Sequence, residues 1–305
     1  MADFQPGHSL KLARSDTYHG TKAASNVVEF MQYSDADALS KALTDGSLDM
    51  AAPVSASTAT GLNGKDGLTV KEGATTDKVL LAYNNGTDSL LSDEQARKAF
   101  RYQIDAAGIA SAQPDAAGAL GGPISLLEPG YEDLTGLYPH DENQAGQMFS
   151  YFGAQYLTTV NLVVPEEYRS LAETIKQQIE RQPRPTVNLE VLSDEDYAKR
   201  IKDGKWELTV MSMDGTDDAG IFADPDSMFH YDHTEAQQAY ADARAATNDA
   251  DYEARMKAYA RLISEDAASD WLYTRKCFTV ASTKVSGYPT SMINRRMPLA
   301  GLTVK

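Results

Sequence analysis

Between residues 35 and 50 the apolar positions follow the spacing of an α-helix. Leu39 and Leu43 lie four residues apart, each preceded by an alanine, and share one face of the predicted helix. Gly46 is expected to end the helix, because glycine accepts the left-handed conformation at little cost. Ser47 then begins a predicted strand. The pattern is a helix, a turn and a strand, a unit that any α/β protein contains.

Further apolar runs predict strands, and amphipathic runs between them predict helices. Their alternation predicts a mainly parallel, layered sheet. The polar, glycine-bearing stretches 63–67 and 71–77 are predicted loops, and Ser92 is predicted to cap a helix that begins at Asp93. The predicted strands are 26–31, 79–84, 157–164, 186–191, 206–211, 271–274 and 276–282, and the predicted helices are 93–105, 142–151, 165–181, 193–204, 235–247 and 251–266.

Composition is that of a soluble globular protein. Of the 305 residues, 42% are hydrophobic and 24% are charged, and no apolar run approaches the roughly 20 residues that span a bilayer. The 28 Lys and Arg against 44 Asp and Glu give a formal net charge of −16, which disfavours nucleic acid as a partner because its phosphates would repel the protein. A solvated acidic surface is the simpler interpretation, and attraction of cationic ligands is the alternative.

Cys277 is the only cysteine in the sequence, so no intramolecular disulfide can form. It lies in the apolar run 277–280, where we expect a small buried side chain and not a nucleophile. Residues 1–6 have neither the basic nor the apolar region of a secretory signal. Two alternatives follow: an intracellular protein, or one whose export segment has been removed.

The sequence contains no motif for nucleophilic catalysis, phosphate binding or zinc-dependent hydrolysis. Paired acids such as Glu166-Glu167 are expected to favour a helix start and not to transfer protons. His230 and His233 lie three residues apart and could bind a metal from one helical face, although a polar surface loop is the simpler interpretation. We therefore predict no enzyme activity, no cofactor and no metal site.

Three blocks that span nearly the whole chain carry a resemblance to a known family. They comprise 14–20 with 26–31 and 35–50, then 81–85 with 91–105, then 160–214 with 224–229. The second block is the most specific, because a strand, an acid, Arg97 and the final Asp105 occur in order and at the right distances. The sequence resembles the family 5 extracellular solute-binding proteins, which capture oligopeptides, dipeptides and nickel chelates for ABC importers.

The resemblance implies an α/β, periplasmic-binding-protein-like fold (type II, cluster C) with one complete α/β lobe and part of a second lobe. In the family the unit at 35–50 lies well inside the protein, so the resemblance also implies that the N-terminal part of lobe I is missing from this chain. Residues 1–78 are then predicted to be part of lobe I, residues 79–276 to form lobe II, and residues 277–305 to return to lobe I.

The function that the resemblance implies is capture of a small peptide or a related amine-bearing solute in a cleft between lobes, for delivery to an ABC transporter permease. It implies a monomer outside the cytoplasm, either periplasmic or a cell-surface lipoprotein. Membrane association would come only from a missing N-terminal lipid anchor or from the permease. The alternative is the ligand-sensing domain of a regulator, in which a DNA-binding segment would precede Met1.

Peptide-binding members of the family often carry a Trp, and then an Asp that binds the peptide α-ammonium, after a strand of the third block. Here Met213 stands at the tryptophan position, and Asp214, Asp217 and Asp218 follow. These four residues and Asn84, at the end of the strand 79–84, are the predicted ligand-binding residues. A carboxylate there could accept charge-assisted hydrogen bonds of roughly 1.5 to 3 kcal/mol, whereas simple solvation of a turn is the alternative.

Overall fold

The structure of the chain, a computed structural model, describes residues 1–151, 159–215 and 217–305. The strands are β1 (Asp3–Gln5), β2 (Ser9–Ala13), β3 (Val27–Met31), β4 (Met50–Val54), β5 (Leu68–Tyr83), β6 (Ala116–Ala119), β7 (Thr159–Pro165), β8 (Thr186–Leu192), β9 (Leu208–Met213), β10 (Ser269–Ser282), β11 (Val285–Ser286) and β12 (Thr303–Val304). The α-helices are α1 (Ala36–Asp45), α2 (Ala56–Leu62), α3 (Glu94–Gln103), α4 (Ala106–Ala112), α5 (Glu142–Tyr151), α6 (Arg169–Ile179), α7 (Asp194–Lys202), α8 (Thr234–Arg244) and α9 (Asp249–Glu265). Short 3₁₀ helices cover Leu90–Ser92, Glu166–Tyr168 and Asp218–Ala223.

The chain divides into two compact units. Unit 1 contains Met1–Thr75 and Lys276–Lys305, and unit 2 contains Thr76–Arg275. Strands β5 and β10 are long, and each contributes residues to both units. Among the described residues, no helix has both the length and the apolar character that crossing a bilayer requires.

The sheet of unit 2 is mixed. Strand β7 runs parallel to β8 and to β9, whereas β5 is antiparallel to β9 and β6 is antiparallel to β10. The sequence order β-α-β-α-β predicts a parallel arrangement of β7, β8 and β9, which the structure confirms, whereas the sheet as a whole is mixed because each antiparallel pair includes a strand from outside that run. Hydrophobic periodicity marks where a strand lies but carries no information on the direction of its neighbour. Strand β7 is described from Thr159 onward, and residues 157 and 158 of that prediction lie outside the described residues.

Strand β5 is covered on both faces within unit 2. Val79, Leu81 and Tyr83 face the core formed with α3, α5 and α6, whereas Leu80 and Ala82 face the core formed with α8 and α9. A strand covered by helices on both faces has a continuous apolar run instead of alternation. This accounts for the run at 79–83, and the same two layers hold the end of β9 in place.

Helix starts in unit 2 follow local side-chain chemistry. Asp93, and not Ser92 as predicted, caps α3, because its Oδ1 accepts a hydrogen bond from the Gln95 amide at 2.8 Å and Ser92 belongs to the preceding 3₁₀ turn. Ser193 caps α7, as predicted. Helix α6 begins later than predicted, because Pro165 ends β7 and a 3₁₀ turn intervenes.

Unit 1 confirms the helix predicted within residues 35–50, whereas the strand that follows, β4, begins at Met50 and not at Ser47 as predicted. Asp35 Oδ1 caps α1 through the Ala38 amide at 2.7 Å, and Gly46 ends it with φ of 80°. The predicted loop at 71–77 is wrong, because these residues belong to β5, which lies beside β10 in the sheet. The two strands predicted at 271–282 are one strand, β10, and Cys277 is buried in it, as expected.

Candidate functional site: the acidic segment after strand β9

Strand β9 ends at Met213, and the acidic residues follow directly. The antiparallel register places Lys78 of β5 opposite Met213. The lysine side chain reaches beyond the end of β9, toward the segment 214–218 and the 3₁₀ helix that begins at Asp218. Thr216 lies outside the described residues. The site is therefore a strand end with a buried lysine beside it.

The lysine cluster, formed by Lys78, Glu128 and Asp218, is the electrostatic centre of this site. Lys78 Nζ lies 2.7 Å from Glu128 Oε2 and 3.0 Å from Asp218 Oδ1, and it donates a hydrogen bond to the Gly215 carbonyl at 3.2 Å. Only 1% of Lys78 is exposed. A lysine is rarely buried unless it is paired, and here three acceptors from two separate segments surround it.

Asp218 closes the segment on itself. Its Oδ2 accepts a hydrogen bond from the Gly215 amide at 2.9 Å, while its Oδ1 contacts Lys78. Burial raises the pKa of the Asp218 carboxyl to about 6, against the opposing effect of the Lys78 charge, and the nearby Glu128 carboxylate raises it further. Desolvation favours the neutral form of an acid, so this carboxyl gains and loses its proton close to neutral pH.

The other two acids have different surroundings. Asp214 is half-buried and accepts a hydrogen bond from Thr76 Oγ1 at 2.8 Å. Asp217 is exposed and accepts hydrogen bonds from Tyr240 Oη at 3.0 Å and Arg244 Nη1 at 3.1 Å. Both carboxylates lie within the same short segment, at the end of β9. The three acids that the sequence analysis selected are therefore neighbours in the chain, and each of them contacts different partners.

Met213 and Asn84 have structural contacts. Met213 is buried in the core that packs with α8 and α9. Asn84 is 6% exposed, and its Nδ2 donates to the Trp206 carbonyl at 2.9 Å while its Oδ1 accepts from the Gly86 amide at 3.0 Å. It therefore ties the end of β5 to the turn before β9, and it lies six residues further along the chain than Lys78.

His230 and His233 have different local surroundings. His233 caps α8, because its Nδ1 accepts a hydrogen bond from the Ala236 amide at 3.3 Å, and its ring stacks on Tyr231 with centroids 5.7 Å apart. His230 has a left-handed backbone, with φ of 48°. Across the part of the chain that the structure describes, no group of three or more His, Cys, Asp and Glu residues is arranged to hold a metal ion.

Sequence reasoning missed Lys78 and Glu128. The signal for Lys78 was its position at the start of a fully apolar run, because a strand buried on both faces would carry its lysine inward. Glu128 had no such signal, since it lies in an irregular connection, where its Oε2 accepts a hydrogen bond from the Ser125 amide at 2.8 Å. Only the folded chain brings the two together.

Comparison with known proteins identifies the family. Residues 1–242 match the family described as bacterial extracellular solute-binding proteins, family 5 Middle. The chain belongs to this family. The match extends over well more than half of the sequence and includes β9 and the whole acidic segment. No curated protein sequence matches this family 5 protein.

Solved structures share its fold. The ABC transporter substrate-binding protein CtaP from Listeria monocytogenes superposes with a TM-score of 0.85 at 15% identity, over 99% of this chain and 65% of that one. DppA from Helicobacter pylori in complex with the peptide STSA gives 0.78 at 16% identity, over 99% and 61%. NikA from Brucella suis in complex with Fe(III)-EDTA gives 0.80 at 16% identity, over 99% and 67%.

These likenesses confirm the predicted α/β, periplasmic-binding-protein-like fold. The family 5 chain spans 65% of the length of CtaP and 61% of the length of DppA, although nearly all of its own residues are matched. The identities are low, so the likeness concerns the fold and leaves the ligand to be argued from the residues of this chain.

Proposed function

We propose that this family 5 protein is the solute-binding component of an ABC importer and that it captures small peptides or related amine-bearing solutes for a membrane permease. It would act outside the cytoplasm as a monomer, either free in the periplasm or as a lipoprotein. The observation that carries the proposal is the acidic segment at the end of β9. Three carboxylates lie there within five residues, beside a buried lysine that holds the segment.

The charges of the segment favour an ammonium group as the ligand feature. Asp214 is half-buried and Asp217 is exposed, so a ligand can reach both from solvent. A carboxylate at a partly desolvated site accepts a charge-assisted hydrogen bond from an ammonium at about twice the strength of a neutral pair. Met213 and Asn84 would act indirectly in this proposal, through packing and through the turn before β9. Asp218 would act through its hold on Gly215.

The relatives support two ligand classes. The structure named DppA was determined with a peptide and the structure named NikA with an Fe(III) chelate. Amine-bearing peptides fit the acidic segment better than an anionic chelate does, because carboxylates repel a ligand of like charge.

Calorimetric titration of the 305-residue chain tests the proposal. We expect saturable binding of tetrapeptides with a free amine and much weaker binding of the same peptides after N-acetylation. Asp214→Asn should weaken binding of the free-amine peptides roughly tenfold or more, as expected for loss of an interaction of about 1.5 kcal/mol or more. Asp194→Asn, at an exposed acid in the first turn of α7, is the matched control.

Two outcomes would contradict the proposal. Equal affinity for free and acetylated peptides would exclude ammonium recognition by the segment. Absence of saturable binding for both peptides and a nickel–histidine complex would remove peptides and metal chelates as ligand classes.

A further inference from the structure

Lys78 has an environment that the proposed ligand contacts do not explain. Its ammonium is buried within β5, yet it is bound to groups of two irregular segments and not to other strands. One contact goes to Glu128, and the other two go to Gly215 and Asp218, the residues that close the acidic segment. Although Lys78 projects from the sheet, its ammonium therefore stabilises the acidic segment.

The partner on the other side is itself held in place. Glu128 is 7% exposed, and its Oε2 accepts hydrogen bonds from both the amide and the hydroxyl of Ser125. This arrangement fixes the carboxylate before it meets Lys78. When further hydrogen bonds fix the orientation of a side chain, the group bonded to that side chain is also restricted to a narrow range of positions.

The contacts on Gly215 and Asp218 form a closed ring. Lys78 donates to the Gly215 carbonyl and contacts the Asp218 carboxylate, and that carboxylate accepts from the Gly215 amide. Both backbone polar groups of Gly215 are thereby engaged, and the chain between Gly215 and Asp218 has a fixed start and end. Asp217 lies within this interval.

We propose that Lys78 is a positioning residue for the acidic segment, and that with Glu128 as its anchor it sets the geometry in which Asp214 and Asp217 meet a ligand. The part of this proposal that concerns ligand binding rests on the proposed function. The part that concerns the hold of Lys78 on Gly215 and Asp218 does not. One ammonium lies between two carboxylates, so the cluster carries one excess negative charge when both acids are ionised. Protonation of Asp218 removes that excess, and the hold on Gly215 then depends less on Lys78.

Amide hydrogen exchange at Gly215, measured by NMR on the ligand-free 305-residue chain, tests whether Lys78 holds Gly215 in place. In Lys78→Met, which keeps the length of the aliphatic stem, we expect exchange at Gly215 to be at least tenfold faster than in the unchanged protein at pH 7.5. The ratio of the two exchange rates, variant to unchanged protein, should be smaller at pH 5.5, after correction for intrinsic exchange, because more of the Asp218 carboxyl of the unchanged protein is then protonated. Lys78→Arg should restore most of the protection.

A matched control is Lys176→Met, because Lys176 also contacts an acid and a backbone carbonyl, Glu180 and Val187, but lies on α6. It should leave exchange at Gly215 unchanged. The proposal is overturned if Lys78→Met leaves the amide exchange rate of Gly215 unchanged at pH 7.5. It is also overturned if the ratio of the exchange rates in the variant and the unchanged protein is the same at both pH values. Either result is expected of a lysine that only fills space.

Glu128→Gln covers the case in which Lys78→Met does not fold. This variant keeps the cation and removes one neighbouring negative charge, so the midpoint of the Asp218 carboxyl titration, followed by carbon-13 NMR, should move downward. An unchanged midpoint would show that Glu128 and Asp218 are not one cluster and would overturn the proposal.

The effect of Lys78 on ligand binding is measured separately. If free-amine tetrapeptides bind to the unchanged protein, Lys78→Met should weaken them at least fivefold at pH 7.5, and Lys78→Arg should recover most of the affinity. Unaltered peptide affinity in Lys78→Met would overturn the positioning role. If no peptide binds the unchanged protein, the proposed function fails while the exchange result at Gly215 still decides whether Lys78 positions the segment.

Discussion

Two buried ionic clusters among the described residues of unit 2 differ in charge balance and in what they join. The lysine cluster joins strand β5 to two irregular segments and has one cation for two acids. The arginine cluster pairs Arg97 with Asp266 at 2.7 Å and Arg101 with Asp270 at 3.3 Å. It is balanced, and it joins helix α3 to the residue after α9, Asp266, and to the start of β10, at Asp270.

The extra hydrogen bonds of the arginine cluster go to backbone carbonyls. Arg97 Nε donates to the Ala267 carbonyl at 3.1 Å, and Arg101 Nη1 donates to the Ser264 carbonyl at 3.2 Å. Arg101 also lies over the Tyr138 ring, with its guanidinium carbon 4.7 Å from the ring centroid. A guanidinium can satisfy several carbonyls at once, whereas an ammonium is a compact point charge. The arginines therefore stabilise a junction of secondary structure, and the lysine orients a segment.

The largest effect is expected from Arg101→Met. It leaves Asp270, which is 2% exposed, without its cation, and removing one partner of a buried pair costs about 3 to 5 kcal/mol. Urea unfolding followed by tryptophan fluorescence should show this loss in the free energy of unfolding. Arg181→Met, at an exposed pair with Glu142, is the control and should change little. A loss below about 1 kcal/mol would contradict a structural role for the arginine cluster.

The next prediction concerns the pH dependence of stability. Burial raises the pKa of Asp270 to about 7, although the Arg101 charge opposes it. The folded state therefore holds this proton more tightly than the unfolded state, in which the pKa is near 3.8. The Asp270 contribution to stability is present in full below pH 4 and is lost as the pH rises to about 7.

Urea unfolding of the unchanged protein and of Asp270→Asn, measured between pH 4 and pH 8, checks this sign. The variant has a lower free energy of unfolding at low pH, because the asparagine cannot take up the proton, and the difference from the unchanged protein should shrink toward neutral pH. Two parallel curves would show that Asp270 does not titrate in this range.

A smaller effect is expected in the lysine cluster from Ser125→Ala. The variant removes the hydroxyl donor to Glu128 but leaves the Ser125 amide donor in place. Loss of one buried hydrogen bond costs about 1 kcal/mol, and amide exchange at Gly215 should increase less than in Lys78→Met. An increase as large as that of Lys78→Met would mean that Glu128, and not Lys78, controls the segment.

The smallest effect is expected from Arg244→Ala. Its contact with Asp217 Oδ2 at 3.1 Å is solvent-exposed on both sides, and exposed ion pairs contribute little because water and salt screen them. Thermal unfolding should show no measurable change in midpoint. A clear decrease would mean that Asp217 is held mainly by Arg244, and Tyr240→Phe would then separate the two contacts.

Much of the local structure could be predicted from the sequence. The start and end of α1 at Asp35 and Gly46 depend on residues within one turn, and the cap at Ser193 is equally local. The loop predicted at 71–77 was wrong, because pairing of β5 in the sheet outweighs the weak strand preference of polar residues. The misplaced start of α3 had a local cause, since two adjacent residues, Ser92 and Asp93, were both suitable caps.

The acids of the candidate site were selected from the sequence, whereas their buried partner Lys78 was not. The three acids follow Met213 within five residues, and the structure gives each of them different contacts. Asn84 was also selected, and the structure places it directly after β5 with its amide bonded to backbone. Their role in ligand binding stays a prediction, which the peptide titrations will decide.

The sequence by itself determined the family, the acidic character of the segment and many of the helices and strands, because these depend on residue type and on short spacings along the chain. Only the tertiary structure decided that β5 runs antiparallel to β9 and that Lys78 meets Glu128 and Asp218. A buried ammonium needs several acceptors, and here they come from segments distant in sequence, with Glu128 lying 50 residues from Lys78. No local pattern carries that information, since it arises when the strand and the two segments pack together.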